Sequence, residues 1–123
     1  MVSRRELNSH SYPLTPEQSV NFEHLYLAIN KLREIYGKPM VITSGVRSVE
    51  DQKRINPKSM GSAHVKAAAC DIADPHGALD SWCLANLDAL TECGLYLEDP
   101  SKTPRWTHLQ VLPPKSGKRV FLP

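Results

Sequence analysis

The sequence predicts an α+β fold in which helices pack on a small, mostly antiparallel sheet. Three observations carry the class. Two long segments place apolar residues at helical spacing between clear start and stop signals. Short β-branched or alternating runs lie between and after them. The chain has 123 residues, 41% apolar and 23% charged, which is enough for one core and is ordinary globular usage. Disordered, collagen-like and bare coiled-coil classes are excluded.

Residues 1–14 read as an extended, polar N-terminal arm, and 15–123 as a single domain. Thr15-Pro16-Glu17-Gln18 supplies an N-cap, a first-turn proline and a capping-box glutamine. Phe22, Leu25, Ile29, Leu32 and Tyr36 then form one apolar stripe, and Gly37 and Pro39 stop the helix. Pro39–Ser44 is a β-branched strand. Ser48-Val49-Glu50-Asp51 starts a short helix that must end near Asn56-Pro57, and Lys58–Gly61 is loop. Ala68–Ile72 is a second strand, weakened by its alanines.

A second long helix is expected from His76 or Gly77 to Cys93, with Leu79, Cys83, Leu87 and Leu90 as its buried stripe and Gly94 as its stop. Leu95–Glu98 is a strand and Asp99–Arg105 a loop. Trp106–Leu112 alternates, with Trp106, His108 and Gln110 on one face and Thr107, Leu109 and Val111 on the other. Residues 118–123 could add an edge strand.

Fifteen basic and thirteen acidic residues give a net charge of +2, which does not argue for nucleic acid. Arg4, Arg5, Lys115, Lys118 and Arg119 read as solvated surface. No apolar run reaches the ~20 residues of a membrane span. The polar start lacks a signal-peptide pattern, so synthesis in a cytoplasm is expected. Cys70, Cys83 and Cys93 form no CxxC pair and read as small buried hydrophobes.

His10, His24 and His76 read as surface or boundary residues. His64 and His108 differ by their company. Ser62–Asp71 runs from a turn into a strand and delivers His64 and Asp71 flanked by small side chains. A buried carboxylate at Asp71 needs a cation or strong donors. With His108 it suits a three-ligand Zn²⁺ site that leaves a fourth position for water. The residues alone leave another reading open, in which Asp71 is an ion-pair residue and His108 a satisfied core histidine.

The order Ile42-Thr43-Ser44-Gly45-Val46-Arg47-Ser48, Gln52, Ser62-x-His64, Ala68-x-x-Asp71 and Trp106-x-His108-x-Gln110 resembles the M15 metallopeptidases, the D-alanyl-D-alanine carboxypeptidase-like family, and its short phage-type members. The resemblance spans roughly 39–112. It implies a hedgehog/DD-peptidase-like fold, that 15–123 is one M15-like peptidase domain and that His64, Asp71 and His108 are zinc ligands. It implies Arg47 as the cation for substrate and oxyanion, with Ser62, Gln52 and Trp106 lining the substrate site. The family glycine is Ala67 here. Arg105 occupies the position, three before the last ligand, where several members carry an acidic base. Arg105 cannot accept a proton, which leaves Glu98 or Asp99; Glu98 is the expected general base.

The implied activity is hydrolysis of a peptide bond in peptidoglycan stem peptides, as a D,D-carboxypeptidase or endopeptidase, with metal-bound water as nucleophile. A monomer acting on the cell wall or within a virion is expected, without nucleic-acid or membrane partners. The alternative is a non-catalytic zinc-binding virion or wall-binding module. The related fold of the hedgehog signalling domain shows that fold alone does not decide.

Overall fold

The computed structural model describes residues 1–55 and 62–123. Five strands, β1 (Ile42–Ser44), β2 (Ala69–Ala73), β3 (Tyr96–Glu98), β4 (Trp106–Gln110) and β5 (Val120–Phe121), form one sheet in the order β1-β2-β4-β3-β5. Neighbours run antiparallel except β3 and β5, which are parallel. Among the described residues five α-helices accompany the sheet, α1 (Arg4–Leu7), α2 (Pro16–Tyr36), α3 (Val49–Ile55), α4 (Ala78–Ala85) and α5 (Leu87–Cys93), with a 3₁₀ turn at Pro100–Lys102. The class is the α+β one that the sequence predicts. The expected end of α3 at Asn56-Pro57 and the loop Lys58–Gly61 lie outside the described residues.

α2 forms where its local signals place it. The Thr15 hydroxyl accepts from the Gln18 N–H at 3.2 Å, and the Gln18 side chain accepts from the Thr15 N–H at 2.8 Å. Such a cap is worth about 1 kcal/mol. Gly37 closes the helix in the left-handed region, at φ 76. Phe22, Leu25, Ile29 and Leu32 are buried, and Tyr36 packs edge-on against Trp82.

Strand alternation separates core from site. Cys70 and Ile72 of β2, Leu97 of β3 and Leu109 of β4 face the helices and are fully or almost fully buried. Asp71, His108 and Glu98 therefore project from the other face. Cys83 and Cys93 are buried with Cys70, as small apolar side chains.

Two expectations are corrected. Residues 1–14 are not an extended arm. Ser3 and Glu6 build a capping box around α1, and Val2 and Leu7 are buried in the core. Asn30 of α2 clasps Val2 by accepting from its N–H at 2.8 Å and donating to its carbonyl at 2.9 Å. A single turn shows no apolar period, so nothing in the pattern announces it. The helix expected from 76 or 77 to 93 is two helices. At Asn86, with φ −132 and ψ 49, the side chain donates to the Trp82 carbonyl at 2.8 Å and the backbone N–H to Cys83. Asparagine competes for backbone bonds in this way. The break leaves Leu87 exposed rather than in the buried stripe.

Candidate metal centre

The β2–β4 register sets Asp71 directly opposite His108. His64 arrives from the turn before β2. Its N–H donates to the Ser62 hydroxyl at 3.2 Å, its carbonyl accepts from the Arg47 N–H at 3.2 Å, and Ala67 turns the chain at φ 59. α2 holds this turn from outside, because Gln18 donates to the Val65 carbonyl at 2.9 Å and Asn21 to that of Lys66 at 3.1 Å. All three side chains are buried, and one ligand atom from each lies within 4.8 Å of the others.

The hydrogen bonds on the far side of each ring assign the protons. Gln110 donates through its amide nitrogen to the Leu112 carbonyl at 2.7 Å, so its oxygen faces His108 and accepts from Nε2–H at 2.8 Å. The Nδ1–H of His64 donates to the Gly45 carbonyl at 2.8 Å. The remaining nitrogens, His108 Nδ1 and His64 Nε2, then turn lone pairs on the same Asp71 oxygen, Oδ1, at 2.9 and 3.3 Å. Lone pairs and a carboxylate repel unless an imidazole takes a second proton or a cation sits among them. A divalent metal fits this donor set, and Gly45 and Gln110 would then be the outer partners that orient the two imidazoles.

The electrostatics agree. Burial alone pushes the Asp71 carboxyl up, but the bonds and charge of His108 and His64 outweigh it and hold the group well below the usual carboxylate range. Burial pulls His108 down, and the bond to Asp71 with its charge more than offsets that and raises it above the ordinary value. Arg47 Nη2 donates to the second Asp71 oxygen at 3.3 Å.

The other predicted residues gather at one cleft of about 400 Å³, lined by the triad together with Arg47, Gln52, Ser62, Glu98 and Trp106. Arg47 is only 17% exposed and also donates to Ser44 at 3.1 Å and to Gln52 at 3.2 Å. Glu98 follows Leu97, which pairs with Leu109, so it stands on the His108 side of β3. Burial raises its pKa, with His108 lowering and Asp71 raising it. Asp99 is outside this cleft; its carboxylate caps the following 3₁₀ turn by accepting from the Ser101 N–H. Gln110 and Gly45 lay within the quoted motifs without a role. Their only sequence signals are the shared face of Gln110 with His108 and the glycine after β1.

The model of the family described as Peptidase M15 matches residues 7–110. The chain belongs to the peptidase M15 family. M15 enzymes are in general zinc-dependent peptidases, and His64, Asp71 and His108 are the residues of this M15 chain that could hold the ion. No curated protein and no solved structure matches the chain.

Two M15 departures acquire a geometry. Ala67, where the family glycine is expected, has a left-handed backbone at φ 59. Arg105, where the acid is expected, is exposed, has φ 73, and is not among the residues lining the triad's cleft. No helix among the described residues is long and apolar enough to cross a membrane.

Proposed function

We propose that this M15 peptidase cleaves a peptide bond in peptidoglycan stem peptides, as a D,D-carboxypeptidase or endopeptidase, and acts on the bacterial cell wall in the manner of short phage-type members. The observation that carries the reading is the convergence of His64 Nε2, Asp71 Oδ1 and His108 Nδ1 in a cleft that also holds Glu98. Those three atoms would hold Zn²⁺, which supplies Lewis acidity and a water acidified toward pKa ~7.

The chain's own residues do the rest. Glu98 is a half-buried carboxylate whose proton affinity is raised by burial, as suits a group that takes a proton from water and returns it to the departing amine. Arg47 fixes the second oxygen of Asp71 and lines the cleft, so its permanent charge favours negative charge growing on the substrate's carbonyl oxygen. Gln52 anchors Arg47; Ser62 and Trp106 line the same cleft. Residues 15–123, with the docked N-terminal turn, form the peptidase unit.

The exposed Arg105 at the usual base position favours a second reading, a zinc-binding wall or virion module without catalysis. Incubating zinc-loaded protein with purified peptidoglycan and a D-Ala-D-Ala-terminated stem peptide decides between them. New amines or free D-alanine support the hydrolase. Stoichiometric zinc with no new product on any muropeptide supports the module.

A further inference from the structure

The triad's cleft opens into a second one of about 510 Å³, which shares Ser62, Glu98, His108 and Pro123 with it. Its lining includes Lys66 and Lys115 together with the apolar Leu112, Pro113 and Pro114. Glu98, at the triad end, is the one carboxylate side chain among the described residues lining it. Among the described residues neither lysine has an ion pair or side-chain hydrogen bond.

Both cations stand on stiff backbone. The Lys66 carbonyl accepts from Asn21 of α2, and Lys66 precedes the left-handed Ala67. Lys115 follows two prolines in a turn closed by the Gly117 N–H donating to the Pro114 carbonyl at 2.9 Å. Two exposed lysines lining one concavity with apolar walls favour a positive potential there more than scattered surface lysines do. A peptide with its scissile bond at the triad and its chain along this cleft would place a more distant residue between them.

We infer that Lys66 and Lys115 form a carboxylate-binding subsite, and that the peptide taken by the cleft carries a free carboxylate on a residue removed from the scissile bond. The placement of the scissile bond rests on the peptidase reading. The recognition is the attraction of the positive charge of these two lysines for a carboxylate, which a neutral carboxamide does not share.

The test is calorimetric titration of the zinc-loaded Glu98→Gln protein with two peptides. One is a stem-type peptide bearing the free α-carboxylate of its γ-linked D-glutamate. The other carries a carboxamide there. The acid is expected to bind roughly tenfold tighter at low salt, and the difference to vanish in the Lys66→Gln, Lys115→Gln double variant. Circular dichroism confirms that these exposed substitutions leave the fold intact. Equal affinities for the two peptides, or a gap that persists in the double variant, would overturn the subsite. Displacement of the acid peptide by inorganic phosphate at equal concentration would also overturn it, by showing a general anion site. Hydrolysis by the wild-type protein is scored separately. A carboxylate-dependent affinity without any cleavage leaves the subsite standing and removes the hydrolase.

Discussion

His108 Nδ1 lies 2.9 Å from Asp71 Oδ1, and the two residues are direct partners across the β2–β4 ladder. Directly opposed side chains on one face of an antiparallel pair have Cβ atoms about 5 Å apart. Strand register therefore sets the spacing of these two candidate ligands, and only His64 depends on a turn.

The purified protein is expected to carry one zinc per chain by elemental analysis, and the His64→Ala, His108→Ala double variant none. Zinc at a thousandfold its dissociation constant adds about 4 kcal/mol to the wild type. Chelation should therefore lower Tm in the wild type and leave the double variant unmoved. A Tm indifferent to chelator in both proteins would remove the metal site.

The metal-free and zinc-loaded proteins should respond oppositely to pH. The folded pKa of His108 is raised above 6.5, so its pairing with Asp71 stabilises fully below 6.5 and is lost as pH rises through the folded value. Zinc requires the deprotonated ring, and its stabilisation grows over the same interval. Thermal melts from pH 6 to 9 check this, and parallel curves with and without zinc would contradict it.

Glu98→Gln is expected to lower kcat by ~10²–10⁴ while zinc content stays at one. Asp99→Asn should retain most activity, because asparagine can still cap the 3₁₀ turn at Ser101. Loss of activity in the asparagine variant alone would transfer the base role to Asp99.

Asp80 is buried beside Asp74, and its Oδ1 has no hydrogen-bond partner among the described residues. Burial, with the neighbouring carboxylate, pushes its pKa up to about 6 from 3.8. The folded state then holds the proton more tightly, so stability falls as pH rises from about 4 to about 6 and stays lower above it. The loss is at most about 3 kcal/mol. Asp80→Asn keeps the shape, and its amide can donate to Asp74. Its Tm advantage over the wild type should be absent at pH 4 and reach several degrees at pH 7. A constant offset across that range would rule the explanation out.

Arg105→Gly should stabilise by about 0.5–1 kcal/mol. A left-handed residue with a Cβ costs roughly 1–2 kcal/mol, and glycine's greater unfolded freedom returns part of it. Denaturant melts check this, and an unchanged or lower midpoint would contradict it.

Features written in adjacent residues were legible in the sequence. Thr15, Gln18 and Gly37 delimit α2 because capping is local. The alternation of Trp106–Gln110 and the small residues before Asp71 indicated which side chains share a face. What escaped depends on distant partners. Val2 and Leu7 are buried only because Asn30 and the core receive them. Asn86 breaks a helix that its apolar spacing would continue. Ala67 reads as a small departure from glycine, but at φ 59 its methyl occupies a backbone region that favours glycine by about 1 kcal/mol or more. The tautomer-setting bond of Gln110 also requires the orientation fixed by Leu112.

Gly45 stands between two systems that look independent. Its carbonyl accepts from His64, the Leu7 carbonyl accepts from the Val46 N–H at 2.8 Å, and a Cβ on Gly45 would lie 2.0 Å from that Leu7 oxygen. Thermodynamic linkage makes such a junction work in both directions. A cation held by His64 would tighten the seat of the first seven residues, and a protease or fusion partner that pulled those residues away would loosen the cation. Cleavage near the N-terminus should therefore be slowed by zinc, and a tag placed there can lower metal occupancy without touching a ligand.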